Sequence, residues 1–340
     1  MIPYRTRRFF RRLAVAFLWV LLIGAVAWIL WMIWLQRYVV YTRDGAKLDL
    51  SRSSVDISGE VAVPPEEDAP IAIYYNEDAL AGAAEVELAQ ILGYYIPTDA
   101  LLQDLSSLEQ QIKSLPEGTA VMLDVKSIYG NFYYSTKIPG APISDSLDPE
   151  AVDSLISLLK KQNLYLIANL PAFRDRSYGQ SHIPSGLPVE GGYLWEDEEG
   201  CYWLDPADGD NIAYLIQIVN ELQALGFDEV VFREFRFPDS DGEIVYASDR
   251  TEDEIITEAA RQLVSACATG NFAVSFQAGP AFALPEGRCR LYLENIAAEQ
   301  AAAVAGGIPV EDPAVRLVFL ATSNDTRYNA YSVLRVLSPS

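Results

Sequence analysis

The alternation of short apolar runs with helical repeats constrains the fold of this chain more than any other feature. From about residue 91 onward, short runs of apolar residues are separated by segments in which leucine and isoleucine recur at helical spacing. The clearest run, Val230 to Phe232, follows a helical segment and lies within Gly226–Pro238, which ends at a proline. Strands that alternate with helices indicate parallel βαβ units.

About eight strand-like runs occur in this part of the chain, which is the number that a closed (β/α) barrel requires. They are residues 91–96, 120–125, 164–169, 230–232, 272–276, 291–293, 315–320 and 331–336. The helices expected after Gln277 and Asn295 are short, so the second half could be degenerate. We therefore predict an α/β fold, a (β/α)8 TIM-type barrel over residues 91–340, with an open doubly wound sheet as the alternative. No P-loop and no G-x-G-x-x-G motif lies at a strand-to-helix turn.

The N-terminal 35 residues are typical of a membrane anchor. Residues 1–12 contain five arginines and no acidic residue, and residues 13–35 are an uncharged apolar run. As a helix this run would span about 34 Å, enough to cross a bilayer core of about 30 Å. The basic flank predicts a cytoplasmic tip at residues 1–12, a single transmembrane helix in the plasma membrane, and an extracellular remainder. A cleaved signal peptide is the alternative, although its apolar region is normally shorter.

Residues 36–90 are expected to connect the anchor to the barrel. Two β-prone runs within Val39–Leu50 flank Asp44-Gly45, a dipeptide typical of a tight hairpin turn. The segment that follows is polar, acidic and contains prolines, which predicts a spacer.

Charge and composition exclude some functions. The chain has 25 Lys and Arg against 47 Asp and Glu, a net charge of −22, which argues against nucleic acid as a partner. Its three cysteines lack metal-site spacing, and His182 is the only histidine, in a loop where we expect it to be solvated. We predict no metal and no other cofactor.

Charged residues cluster where predicted strands end, and in a barrel that edge carries function. Asp124 and Lys126 share a face at the end of the second strand, with Tyr129 just beyond. Asp124 could be a catalytic carboxylate or a ligand for substrate hydroxyl groups, with Lys126 and Tyr129 contacting the substrate. The alternative is a buried Asp–Lys or Asp–Arg pair that holds the strand end.

A long loop after the third strand is rich in aromatic residues that suit stacking against sugar rings. We predict substrate contacts from Phe173, Asp175, Trp195 and Trp203, and the alternative is that the rings form the core of the loop itself. Asp205, further along this loop, is expected to cap the next helix.

Four segments together resemble a family of glycoside-hydrolase-like TIM-barrel proteins that is distantly similar to the α-amylase clan. They are 123–134 (LDVKSIYGNFYY), 165–175 (YLIANLPAFRD), 194–206 (LWEDEEGCYWLDP) and 226–238 (GFDEVVFREFRFP). Members of that family are often secreted or membrane-anchored in bacteria. The resemblance covers residues 91–240 well and implies a polysaccharide or oligosaccharide as substrate.

The chain departs from the family pattern at its expected acids. The resemblance places an acid where Arg233 stands, an arginine in many relatives where Asn169 stands, and a second acid near Gln277. Glu234 is one residue beyond Arg233, so it should face the other side of the strand unless a bulge redirects it.

Glycosidases usually need two carboxyl groups, and the resemblance leaves Asp124, Glu234 and Glu294 as catalytic candidates, with Asp175 less favoured. Arg233 and Arg236 are expected to contact substrate, and an inward Arg233 would pair with Asp124 or Glu294. Two functions remain open: hydrolysis of a glycan, with Glu234 or Glu294 as the acid and Asp124 as its partner, or non-catalytic binding of envelope polysaccharide. A scaffold role in an envelope complex is a third.

Overall fold

The structure, a computed structural model, describes Trp28, Val39–Thr42, Gly45–Leu48 and residues 87–246 and 248–337. The predicted cytoplasmic tip, nearly all of the predicted anchor and most of the spacer lie outside these residues. Within the described residues, no helix has the length and apolar character needed to span a bilayer. The chain divides into two compact units, residues 1–74 and 75–340.

The predicted hairpin is present in the first unit. Strand β1 (Val39–Thr42) pairs antiparallel with β2 (Gly45–Leu48), with Val39 opposite Leu48 and Thr42 opposite Gly45. Gly45 is therefore the first residue of the second strand, whereas the Asp-Gly dipeptide predicts it within the turn.

Eight parallel strands form a closed barrel in the second unit, so the barrel prediction is confirmed and the open-sheet alternative is wrong. Around the barrel the order is β10-β3-β4-β5-β6-β7-β8-β9. The strands are β3 (Leu92–Ile96), β4 (Ala120–Asp124), β5 (Tyr165–Pro171), β6 (Glu229–Arg233), β7 (Ala273–Gln277), β8 (Leu291–Leu293), β9 (Leu317–Ala321) and β10 (Ser332–Val336).

The described residues contain no helix between β7 and β8, and the helices after Asn295 are short, which confirms the predicted degeneracy of the second half. They are α1 (Thr98–Gln103), α2 (Leu105–Ile112), α3 (Pro149–Lys161), α4 (Arg176–Ser181), α5 (Gly209–Leu225), α6 (Glu252–Cys267), α7 (Ala301–Gly307) and α8 (Pro313–Arg316). Two 3-10 turns lie at Ile183–Ser185 and Thr326–Ala330.

Helix caps explain where several helices begin. Asp148 caps α3 as predicted, and Pro149 occupies its first turn. The leucine and isoleucine spacing over residues 99–115 predicts one helix, but the structure has two, α1 and α2. The helix is interrupted because Asp104 leaves helical geometry and its carboxylate accepts the Ser107 amide. Asp205 does not cap α5, since Asp208 does so by accepting from the Asp210 amide.

The strand pleat determines which side chains enter the barrel. Val231 packs in the interior layer with Met122, Ile167 and other buried residues, whereas Val230 and Phe232 pack in the cluster that includes residues of the helices. Arg233 has the same parity as Val231, so its side chain lies on the inner side of the barrel at the C-terminal end of β6.

At the opposite end of β6, a buried ion pair closes the base of the barrel. The fully buried carboxylate of Glu229 pairs with Arg290 and accepts hydrogen bonds from Tyr165, Ser275 and Tyr292. Arg290 also donates to the carbonyl of Ala89 at 2.9 Å, which ties the segment entering the barrel to its base. We attribute stability to this network, because function in such barrels lies at the other end.

Candidate functional site at the barrel mouth

A cavity of about 660 Å3 opens at the C-terminal ends of the barrel strands. Its lining includes Tyr95 from β3, Asn169 from β5, Arg233 from β6, Gln277 from β7 and Glu294, which directly follows β8. The remaining lining residues are Glu234, Phe235, Arg236, Phe237, Glu252, Asp253, Ile256, Ala278, Gly279, Ala281 and Phe282. Side chains from separate strands thus converge where a TIM-type barrel places its chemistry.

Asp124 is not one of the lining residues, and its carboxylate is fully engaged. It is 5% exposed and accepts from the Tyr95 hydroxyl at 3.0 Å and the Asn169 amide at 2.8 Å. The Thr98 amide and hydroxyl donate to its other oxygen at 3.0 and 2.8 Å. Burial, reinforced by this carboxylate, raises the pKa of Tyr95 well above its ordinary value, which keeps the phenol a donor. The expected Asp–Lys or Asp–Arg pair is absent here, and neutral donors hold Asp124 instead.

Asn169 has its amide oriented by this contact. A carboxylate can only accept hydrogen bonds, so Asn169 must turn its NH2 group toward Asp124. Its Oδ1 atom is then buried without a hydrogen-bond partner among the described residues. The cavity therefore contains a free, preoriented acceptor at its floor.

Arg233 supplies a free donor to the same cavity. Its Nη2 atom makes one long contact, 3.5 Å to the carbonyl oxygen of Lys126, and its buried Nε has no partner among the described residues. The expected ion pair with Asp124 or Glu294 does not form within 4.0 Å in the described part of the chain. An inward guanidinium is thus left available to a ligand.

Glu234 lines the cavity because its backbone is left-handed. Its φ of 51° breaks the regular strand alternation, so it does not turn away as strand geometry alone predicts. Its Oε1 atom lies 3.6 Å from Nη1 of Arg174, and its Oε2 atom lies 3.4 Å from Nη2 of Arg236. Glu234 is therefore a paired carboxylate on the cavity wall.

Glu294 lies at the rim, where part of its side chain reaches solvent. The protein around its carboxyl group raises the pKa of Glu294 by desolvation, with further upward contributions from Glu234 and Asp124. Arg233 and a hydrogen bond with Gln277 act in the opposite direction and do not cancel the increase. The surroundings of Glu294 therefore favour its protonated form.

Lys126 and Asp175, both predicted to contact substrate, pair with each other instead. Their Nζ and Oδ2 atoms lie 2.6 Å apart, and both side chains are fully buried. Asp175 also caps α4 through the Tyr178 amide and accepts from the Tyr214 hydroxyl. The predicted substrate contacts are therefore unavailable in this structure. Tyr129 is exposed but does not line the mouth cavity.

The aromatic side chains predicted to stack on sugar form the core of their loop. Phe173 is buried against Phe235, with ring centroids 4.8 Å apart. Trp195 donates to Glu243 and Trp203 donates to Asp197, each at 2.9 Å. These rings have little free surface, so the alternative interpretation of the loop describes the structure.

Arg236 lies over one of these rings. Its guanidinium lies 5.0 Å from the centroid of the Trp203 ring, while one of its nitrogens contacts Glu234. Arg174, whose guanidinium lies 5.9 Å from the centroid of the same ring, contacts both Asp197 and Glu234. Through these contacts the loop stabilises the cavity wall at Glu234.

Tyr95 was missed at the sequence level, although it forms part of the cavity floor. The sequence places Tyr95 only within the strand at 91–96, and its position one residue before the strand end is the indication that it offers. Phe282 and Ile256 carry no comparable indication, because nothing in their local sequence places them near the mouth.

Other features lie away from the mouth. The three cysteines are free and buried. Among the described residues, no group of three His, Cys, Asp or Glu side chains could hold a metal ion. A second cavity of about 510 Å3 is bordered by a stack of His182, Tyr178 and Tyr214, with ring centroids 4.0 and 3.9 Å apart.

A family model matches residues 95–272, just over half of the chain, and is described as "Putative glycosyl hydrolase domain". No match is found among curated protein sequences.

Solved structures with a similar chain path include three of note. A hypothetical protein from Ruminiclostridium thermocellum is 23% identical over 54% of this chain and 96% of its own, with a TM-score of 0.47. An exo-β-N-acetylglucosaminidase from Vibrio harveyi is 9% identical over 74% of this chain and 50% of its own, with a TM-score of 0.50. An α-galactosidase from Geobacillus stearothermophilus is 13% identical over 74% of this chain and 39% of its own, with a TM-score of 0.49. At these identities the Vibrio harveyi structure shows a shared barrel fold alone.

Proposed function

The chain belongs to the family described as "Putative glycosyl hydrolase domain", and from this premise we propose that its barrel mouth binds a saccharide of extracellular or cell-envelope polysaccharide. One observation carries the proposal. The acceptor Oδ1 of Asn169 and the donor Nε of Arg233 are buried and unpartnered, and both residues line one cavity. A buried unpaired polar group costs about 1–3 kcal/mol. Both atoms are almost fully covered by protein, so a shift of neighbouring side chains must expose them to a ligand. Hydroxyl groups both donate and accept, so a polyhydroxylated ligand then pairs with both atoms.

A glycan array probed with the full-length protein in mild detergent tests this proposal. We expect binding to a subset of saccharides, weakened about 5- to 50-fold in Arg233→Met, since one charged hydrogen bond to ligand is lost. The control is Arg261→Met, because Arg261 is exposed on α6 and pairs only with Glu258. Absence of any bound glycan, or equal binding by both variants, would contradict the proposal.

Hydrolysis is a second candidate function, favoured by the raised pKa of Glu294. A general acid in a glycosidase needs such a shift. Glu234, on the cavity wall, is then the available second carboxylate, because Asp124 lies buried beneath Tyr95 and Asn169. This assignment replaces Asp124 as the partner expected from the sequence.

Product analysis on every glycan that binds separates catalysis from binding alone. For an enzyme, Glu294→Gln should lower kcat about 100-fold or more, in line with loss of a general acid. Glu234→Gln should also lower kcat, whereas Asp124→Asn should act mainly through stability. Bound glycans that stay intact would identify a non-catalytic carbohydrate-binding protein.

The distant similarity to the α-amylase clan is a finer proposal, supported by the four ordered segments at 123–134, 165–175, 194–206 and 226–238. In that clan the strand position of Arg233 supplies the nucleophile. Its replacement by a guanidinium favours the binding function over the hydrolytic one.

We also propose that residues 13–35 anchor the protein in the plasma membrane, with residues 1–12 in the cytoplasm and the barrel outside. The support is the arginine-rich flank and the uncharged apolar run. In intact cells, an added protease should degrade the barrel, and alkaline extraction should leave the protein in the membrane pellet. Protection of the barrel until the cells are lysed would reverse the assigned orientation. A scaffold role predicts co-purifying membrane partners and no bound glycan.

A further inference from the structure

We propose that the saccharide bound at the mouth carries a carboxylate, as a hexuronic acid does, and that this carboxylate pairs with Arg233. The inference rests on the proposed saccharide binding and specifies its chemical class.

The state of the Arg233 guanidinium is the first argument. It points into the barrel mouth, has no carboxylate within 4.0 Å among the described residues, and makes one long contact to a carbonyl oxygen. Arg233 is partly exposed, but its Nε atom is buried without a partner among the described residues, and an unmade hydrogen bond of a buried polar atom costs free energy. The neighbouring N–H groups of a guanidinium form a planar fork that matches a carboxylate in bidentate geometry. A ligand carboxylate therefore supplies the partner that the described protein residues do not.

Most acidic groups around the cavity are already engaged and do not compete for Arg233. Asp124 accepts four hydrogen bonds from neutral donors. Glu234 lies within 4.0 Å of Arg174 and Arg236. Glu252 and Asp253 are exposed in the first turn of α6, where the helix dipole stabilises negative charge.

Glu294 is the remaining acidic group, and it can lose its charge. Desolvation favours its protonated form, and a protonated carboxyl can donate a hydrogen bond to an anionic ligand. The pKa of Glu294 is shifted by Arg233, Gln277, Glu234 and Asp124. Three other charged side chains also line the cavity: Glu252, Asp253 and Arg236. Binding a carboxylate beside Glu294 should therefore take up a proton, so affinity rises as pH falls through the raised pKa of Glu294.

The net charge of −22 does not oppose this assignment at short range. At physiological ionic strength the Debye length is about 8 Å, so distant surface charges are largely screened. A phosphate monoester would add a second negative charge beside Glu234 and Glu294. A sulfate ester carries one charge, as a carboxylate does, so the sulfated probe described below separates these two groups experimentally.

Calorimetry with the full-length protein and matched oligosaccharide pairs tests the inference. Each pair is a uronate oligomer (galacturonate, glucuronate, mannuronate or guluronate) and its carboxyl-reduced form, with a sulfated form of the reduced oligomer as a third probe. For at least one pair, the uronate should bind about 10- to 100-fold more tightly than its reduced form, as expected for a charge-assisted pair. Arg233→Gln should abolish that preference, Arg233→Lys should retain part of it, and Arg261→Gln should leave it unchanged.

Proton uptake is measured first on the unmodified protein, and the Glu294→Gln variant then assigns it to this residue. Heats recorded in buffers of different ionisation enthalpy should show a net proton bound with the uronate, and none in Glu294→Gln. Two outcomes overturn this inference but leave the proposed saccharide site in place. The first is equal or tighter binding of the reduced oligomers, and the second is binding of array glycans among which there is no uronate. Preference for the sulfated probe overturns the carboxylate assignment. Failure of every glycan to bind overturns the proposed function itself.

Discussion

The Nζ atom of Lys126 lies 2.6 Å from Oδ2 of Asp175, with both side chains fully buried. The pair joins the loop after β4 to the N-terminus of α4, which Asp175 caps. Both residues belong to the segments that resemble a hydrolase family, yet their contact supports the wall of the mouth and does not face its cavity.

Lys126→Met should lower the free energy of unfolding by about 3–5 kcal/mol, because it leaves the buried Asp175 carboxylate without its countercharge. Urea denaturation measures the change. Arg261→Met is the matched control, since its pair with Glu258 lies at the surface, and it should cost no more than about 1 kcal/mol. Equal losses in the two variants would show that the buried pair is not structural.

Glu294→Gln should become more stable relative to the wild type as pH rises. The folded-state pKa of Glu294 lies above its ordinary value of 4.5, so the folded protein retains a proton that the unfolded chain releases. Wild-type stability is therefore lost as pH rises from about 4.5 through the raised pKa, and the variant lacks this loss. Urea denaturation of both proteins at several pH values between about 4.5 and 7.5 measures the difference. A stability difference that stays constant with pH would contradict the assigned environment.

Glu234→Gly should be more stable than Glu234→Ala by about 1 kcal/mol, because the left-handed conformation at φ 51° costs an L-residue that much. The same two substitutions at Arg236, which is not among the described residues with positive φ, should rank in the opposite order. Thermal unfolding of the four variants provides the comparison, and the same ranking at both positions would argue against a left-handed Glu234.

Gly93→Ala should severely destabilise the barrel. A Cβ atom at Gly93 would lie 1.8 Å from the carbonyl oxygen of Ala120 on the neighbouring strand, so the backbones of β3 and β4 would have to separate. Gly306→Ala is the control, because nothing lies within 4 Å of the added atom and alanine favours the helix. Soluble yield and circular dichroism measure both, and a wild-type-like Gly93→Ala would contradict the close strand approach.

The fold was predictable because its determinants are local. Short continuous apolar runs and helical repeats with period 3.6 place the strands within a few residues, and Asp148 marks the start of α3. The break at Asp104 was missed because the leucine repeat continues across it.

The site was less predictable because distant residues determine it. Trp203 looks like a sugar-stacking ring until Asp197 and Arg236 are found against it. Glu229 reads as an ordinary polar residue before a strand, yet it anchors the base of the barrel with Arg290.

By itself, the sequence determined that a barrel forms and that charged groups meet at its mouth, because the pleat and the parallel order bring strand ends to one edge. Only the tertiary structure decided which of those groups are free. Hydrogen bonds and an ion pair to residues distant in the sequence already occupy Asp124, Lys126 and Asp175. The side chains that remain available to bind a ligand are Arg233, Asn169 and Glu294. The physical reason is that burial, hydrogen bonding and pKa depend on neighbours in space, which strand and helix periodicity does not specify.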